Sequence, residues 1–91
     1  MEAYKILPHT FQQAEKLGLH IRPSKYHKYK IDIYDMDRNF LFSGGDRNYM
    51  DYAYYLKLYD KEYADERKKL YAIRHQKESI RGKIISFLLW Q

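Results

Sequence analysis

Arg74 and His75 are adjacent and offer the pairing with the most catalytic content, because histidine as a residue type exchanges protons near neutral pH. Adjacent residues on a helix diverge by about 100°, however, so the two need not address one substrate atom. His9, His20, His27 and His75 are the other route to chemistry. No two have the i, i+4 spacing of a metalloprotease motif or the spacing of a zinc finger, and the chain has no Cys. Ser43-Gly-Gly-Asp46 lacks the Lys and the length of a phosphate loop and reads as a tight connection. No nucleophile has a base beside it. The expectation is a protein without catalytic residues, metal or cofactor.

Binding chemistry is better represented. The chain holds 11 Tyr, 4 Phe and 1 Trp. Tyr gives a large contact area with a polar tip, so it suits both wet-edged cores and binding surfaces, and both readings stay open. At helical spacing, Tyr59, Tyr63, Arg67, Leu70 and Arg74 form one stripe. The two arginines either cover a core edge with their stems and pair with an acid such as Asp46 or Asp51, or hold an anion. Tyr52, Tyr55, Arg67, Arg74 and Trp90 are the candidates for a protein interface, since aromatic and Arg side chains dominate such surfaces. In Arg22-Pro-Ser-Lys-Tyr-His-Lys-Tyr-Lys30, bases alternate with aromatics, as in proteins that track phosphates and stack on bases. Arg22, Lys25, Lys28 and Lys30 are therefore the candidates for nucleic acid, the alternative partner.

The elements that must position these groups follow from periodicity. Thr10-Phe-Gln-Gln13 has the form of a capping box, with Phe11, Ala14 and Leu17 sharing a face and Gly18 ending the helix. Pro23 blocks continuation, and Ser24 to Lys28 reads as a basic loop. From Tyr29 the period becomes two, with Tyr29, Ile31 and Ile33 on one face and Lys30, Asp32 and Tyr34 on the other: a half-buried strand. Asp35 to Arg38 turns the chain, Asn39 to Ser43 returns as the second strand of a hairpin, and Gly44-Gly45 breaks the sheet. A short helix follows Asp51. Asp60 caps the longest helix, over about residues 61–78. Gly82 loosens the chain before a last helix, Lys83 to Trp90, with Ile84, Phe87 and Leu88 inward.

Ninety-one residues suit one small α+β domain: a hairpin packed against two or three C-terminal helices, with a short N-terminal helix in residues 1–18. Seventeen Lys and Arg against 12 Asp and Glu leave a net charge of +5, which favours anionic or mixed-charge partners. Residues 16–31 carry bases without an acid, residues 32–66 are mainly acidic, and residues 67–83 are basic again. Such banding permits head-to-tail pairing of copies, so a homo-oligomer is one expected assembly. No apolar run approaches the roughly 20 residues of a membrane span, and the opening residues lack a signal-peptide core, so a soluble protein is expected.

Taken in order, Ile21-Arg-Pro-Ser24, Lys28-Tyr29, Phe40-Leu-Phe-Ser-Gly44, Asp51-Tyr52, Tyr59-Asp60, Arg67-Lys68, Tyr71, Arg74-His75 and Leu88-Leu-Trp90 form a recognisable series. It resembles a family of short uncharacterised proteins of large eukaryotic DNA viruses and some phages. Members show an I-x-F-G strand, a D-Y step, an R-K-x-x-Y-x-x-R-H helix and an L-x-W tail. The likeness covers about residues 19–90. Ser43 stands where the family often joins Phe directly to Gly. The resemblance implies a viral setting, in the virion or the infected host cell, and no enzymatic activity. Joined to the residue reading, it leads to the expectation of a minor capsid or virion-associated protein that binds larger viral structural proteins, with handling of DNA or RNA as the alternative.

Overall fold

The computed structural model describes residues 4–76 and 79–91. These residues form an α+β fold, with a three-stranded antiparallel sheet and four helices among them. The chain divides into two compact units, Met1–Tyr49 and Met50–Gln91.

In the first unit, helix α1 (Pro8–Lys16) starts earlier than the capping box implies. Pro8 has the backbone angle of a first helical residue and lacks the N–H that would there go unpaired, so extended Leu7 becomes the N-cap. Thr10 therefore lies inside the helix, and the box with Gln13 does not form. The buried face is Thr10, Gln13 and Ala14, whereas Phe11 and Leu17 stay exposed. The helix is rotated by about one residue from the expected face, and buried Ile6 and Leu7 supply apolar area at its entry. Its end is as expected. Gly18 takes φ +66°, Leu19 N–H donates to Ala14 and Gly18 N–H donates to Glu15, which together make a Schellman cap.

Strand β1 (His20–Pro23) adds to the expected hairpin of β2 (Tyr29–Tyr34) and β3 (Phe40–Asp46). It pairs antiparallel with β2, Ile21 opposite Ile33, and ends at Pro23, a residue that edge strands tolerate. The extra strand makes β2 central. Lys30, Ile31, Asp32 and Ile33 are all buried, so β2 is enclosed on both faces rather than half-buried. The buried Asp32 carboxylate accepts hydrogen bonds from the Ser43 hydroxyl and from Lys25 N–H, which offsets its desolvation. Gly44 and Gly45 do not end the sheet. Gly44 pairs with Ile31, and the ladder to β2 outweighs the weak strand preference of glycine, so β3 runs on to Asp46. Between β2 and β3, the Asp35 carboxylate accepts from the N–H groups of Asp37 and Asn39, both at 2.9 Å, and this fixes the expected turn.

The second unit holds helices α2 (Tyr52–Leu58), α3 (Lys61–Arg74) and α4 (Ile80–Trp90). Asp51 and Asp60 cap α2 and α3 by accepting from Tyr54 N–H and Tyr63 N–H. The first α3 turn also carries Glu62 and the last carries Arg74, in keeping with the helix dipole. Helix α3 stops at Arg74, before the expected end; residues 77 and 78 lie outside the described residues. Gly82 does not loosen the chain. Ser79 caps α4 through its hydroxyl, which accepts from Gly82 N–H at 3.1 Å, so the glycine is held in the first turn. Leu88, Leu89 and Trp90 are the buried end of α4, with Ile84 and Phe87 half-buried. No helix among the described residues is long and apolar enough to cross a membrane.

Candidate binding site

Helical spacing on α3 and α4 builds a column of rings. Tyr71 and His75 are four residues apart, so their side chains lie one above the other, and the rings stack at 4.1 Å and 21°. Trp90 stacks on Tyr71 at 4.3 Å and 10°. Two near-parallel rings this close to Tyr71 would overlap on one face, so they take opposite faces, in the order Trp90, Tyr71, His75. One turn before Trp90, Ser86 donates a hydrogen bond to the Tyr71 hydroxyl at 3.1 Å, which fixes that ring in its plane. The column opens on a groove of about 410 Å³, lined also by Lys68, Ala72, Lys83, Phe87 and Gln91. Lys68 and Lys83 are among its lining residues, and the Lys68 ammonium lies 5.2 Å from the centre of the Tyr52 ring.

A second aromatic group forms on α2 and the start of α3. Tyr55 lies 6.1 Å from Tyr59, 5.8 Å from Tyr63 and 6.1 Å from Trp90, and the Arg67 guanidinium sits 5.6 Å from its ring centre. Of the expected interface residues, Tyr55, Arg67 and Trp90 are thus brought together, and Arg74 is exposed at the end of α3. Tyr52 and Trp90 are buried and act as anchors beneath a surface rather than as the surface itself. Arg67 lies over an aromatic ring, while Asp51, one suggested acid partner, is occupied as a helix cap.

Tyr52 also shapes local titration. Its hydroxyl donates to Asp65 at 2.6 Å, and Lys61 donates to the other carboxylate oxygen at 2.7 Å. The hydrogen bond from Lys61, with that from Tyr52 second, holds the Asp65 carboxyl below its ordinary value of 3.8. The bond to Asp65 pushes the Tyr52 phenol above 10.0. A carboxyl lowered in the folded state adds stability at pH above 3.8 that disappears as pH falls through the lowered value. Asp65→Asn is accordingly expected to flatten the acid limb of stability against pH. Denaturant midpoints measured across that range check this, and an unchanged acid limb refutes the assignment. The phenol acts with the opposite sign: its share is complete below 10.0 and is lost as pH rises through the raised value.

In the first unit, Arg22, Lys25 and Lys28 are exposed, and their charged groups lie 5.7, 5.6 and 5.3 Å from the ring centres of Tyr34, Tyr26 and Tyr29. Lys30 is different. It sits in central strand β2, only 3 % exposed, with its ammonium 5.6 Å from the Tyr4 ring. It is not presented to a phosphate chain, which corrects its place among the nucleic-acid candidates. A small cavity of about 170 Å³ is lined by His20, Ile21, Arg22, Tyr34 and Arg38. Among the described residues, no group of three or more His, Cys, Asp or Glu could hold a metal ion.

Sequence reasoning weighed His75 beside Arg74 and passed over its partner one turn back. The i, i+4 spacing of Tyr71 and His75 was the available signal for half of the column. Trp90, Lys83 and Ser86 join it only through tertiary packing, which spacing along the chain does not encode. Compared with protein-family models, curated proteins and solved structures, the chain matches none.

Proposed function

We propose that the chain is a non-catalytic interaction protein and, in the viral setting that its motifs resemble, a minor capsid or virion-associated component docking on larger structural proteins. The observation that carries this reading is the exposed surface of α3 and the adjoining end of α2. Tyr59 after α2 and Tyr63, Leu70 and Ile73 on α3 are between 40 % and 55 % exposed, interspersed with half-buried Arg67 and exposed Arg74. Aromatic and Arg side chains on a fixed helix give large contact area with polar anchors, which is the composition of interface centres. The test is to locate the chain in purified particles by mass spectrometry and crosslinking. Tyr63→Ala with Arg67→Ala is expected to weaken incorporation at least about tenfold, the loss typical of interface anchors. Absence of the wild-type chain from particles overturns the reading. Sedimentation of the purified chain distinguishes a second copy as the partner on this face.

Exposed Arg22, Lys25 and Lys28, each beside a Tyr ring, favour a second reading as a single-strand nucleic-acid binder. Each phosphate contact removed should lower the slope of log affinity against log salt by about 0.7. Lys25→Gln with Lys28→Gln is then expected to reduce the slope by about 1.4 in filter binding. Absence of binding to DNA or RNA at low salt removes this reading.

A further inference from the structure

Helix α3 meets its own unit along one side. Ala64 is buried there, half-buried Arg67 and Lys68 lie over the Tyr55 and Tyr52 rings of α2, and half-buried Tyr71 stacks on Trp90 of α4. Tyr63, Glu66, Leu70 and Ile73 recur at spacings of three and four and form a separate stripe, all four exposed. Tyr63 is edged by Tyr55 and Tyr59 yet keeps 40 % exposure, and Leu70 and Ile73 keep 42 % and 55 %. Three apolar or aromatic residues at such spacing are the seam of a helix that packs on another helix.

Charge along α3 is segregated rather than mixed. The half up to Glu66, with its cap, holds Asp60, Glu62 and Glu66 besides the internal Lys61–Asp65 pair. The half from Arg67 to Arg74 holds four bases and no acid. Arg67 and Lys68 are taken up by rings of α2, so exposed Lys69 and Arg74 are the bases beside the stripe, as Glu62 and Glu66 are the acids. The helix dipole favours acids in the first turn and bases in the last, but its effect falls off within those turns and does not account for Glu66 and Lys69.

We infer that two copies of the chain pair through this stripe, with their α3 helices side by side and antiparallel. A two-fold axis brings the same patch of both copies together, and it sets the acidic half of each helix against the basic half of the other. A parallel pair would set Glu62 and Glu66 beside their own counterparts and Lys69 and Arg74 beside theirs, which repels. Tyr63, Leu70 and Ile73 supply the apolar area removed from water. Contact along one helix of 14 residues, about 21 Å, lies at the low end of specific interfaces, so the pair exchanges with monomer. Pairing of copies rests on the reading of this face as an interface and names its occupant when the chain is alone; a larger protein on the same face displaces the second copy.

The full chain is sedimented to equilibrium at concentrations from about 10 µM to about 1 mM, and its mass is expected to rise from monomer to dimer. Glu62→Lys with Glu66→Lys makes both halves of α3 basic, and Lys69→Glu with Arg74→Glu makes both acidic. Each double variant alone should self-associate at least about tenfold more weakly than the unaltered chain, and an equal mixture of the two should dimerise at least as tightly as the unaltered chain. Recovery in the mixture also shows that both variants are folded. Leu70→Gln with Ile73→Gln, which keeps helix propensity, should weaken pairing about tenfold. A chain that stays monomeric to about 1 mM, charge-reversed variants that each pair as well as the unaltered chain, or a mixture no tighter than its components overturns the inference. A monomer that still enters purified particles overturns the second copy alone and leaves docking on larger proteins standing, whereas a dimer absent from particles does the reverse.

Discussion

Ile33→Ala is expected to lower the unfolding free energy by about 2–4 kcal/mol, a large part of the roughly 5–15 kcal/mol that holds a domain folded. Ile33 is fully buried and lies on the central strand, opposite Ile21 on one side and Phe42 on the other. Removing its outer carbons takes away their transfer free energy, and a site enclosed by paired backbone on both sides has little freedom to collapse into the cavity. Ile33→Val, one carbon smaller, should cost about 0.5–1.5 kcal/mol. Phe40 on β3 is the control. Its ring is larger but half exposed, so Phe40→Ala should cost less than Ile33→Ala despite deleting more atoms. Urea unfolding followed by far-UV circular dichroism gives the three values. A larger loss at Phe40 than at Ile33 would mean that β2 is not the enclosed strand.

The same contrast explains what was legible in the residues. Capping chemistry is local, so Asp51, Asp60 and Gly18 marked helix ends correctly, because each acts on backbone groups within a few residues. The alternation of Tyr29 to Tyr34 identified a strand, yet its position in the sheet depends on a third strand. His20–Pro23 is too short and too polar to announce itself before a partner supplies its hydrogen bonds. Lys30 lies against the Tyr4 ring and Asp32 accepts from Ser43 and Lys25, contacts that the alternation along β2 does not encode. Gly44 and Gly45 show the converse, a local preference against strand overcome by pairing with β2. The tyrosines divide residue by residue. Tyr52 is buried, Tyr55 and Tyr71 are half-buried in ring clusters, and Tyr26, Tyr49, Tyr59 and Tyr63 are exposed. A Tyr count could not make that division, because the residue type tolerates all three settings.

Tyr71→Ala is expected to cost about 2–4 kcal/mol, although the ring is only half-buried, because it holds both His75 and Trp90. Its loss removes the stacking on His75 and Trp90 and the bond from Ser86 together. Tyr71→Phe separates these effects. The ring column persists and only the bond to Ser86 is lost, which should cost about 0.5–1.5 kcal/mol. Ser86→Ala should cost a similar amount, and the double variant Tyr71→Phe with Ser86→Ala should cost less than the two changes summed, because both remove one bond. Trp90 emission supplies the structural readout: a red shift and loss of near-ultraviolet dichroism in Tyr71→Ala, and little change in Tyr71→Phe. Equal effects of Ala and Phe would place the stabilisation in the hydroxyl and leave the rings without a role.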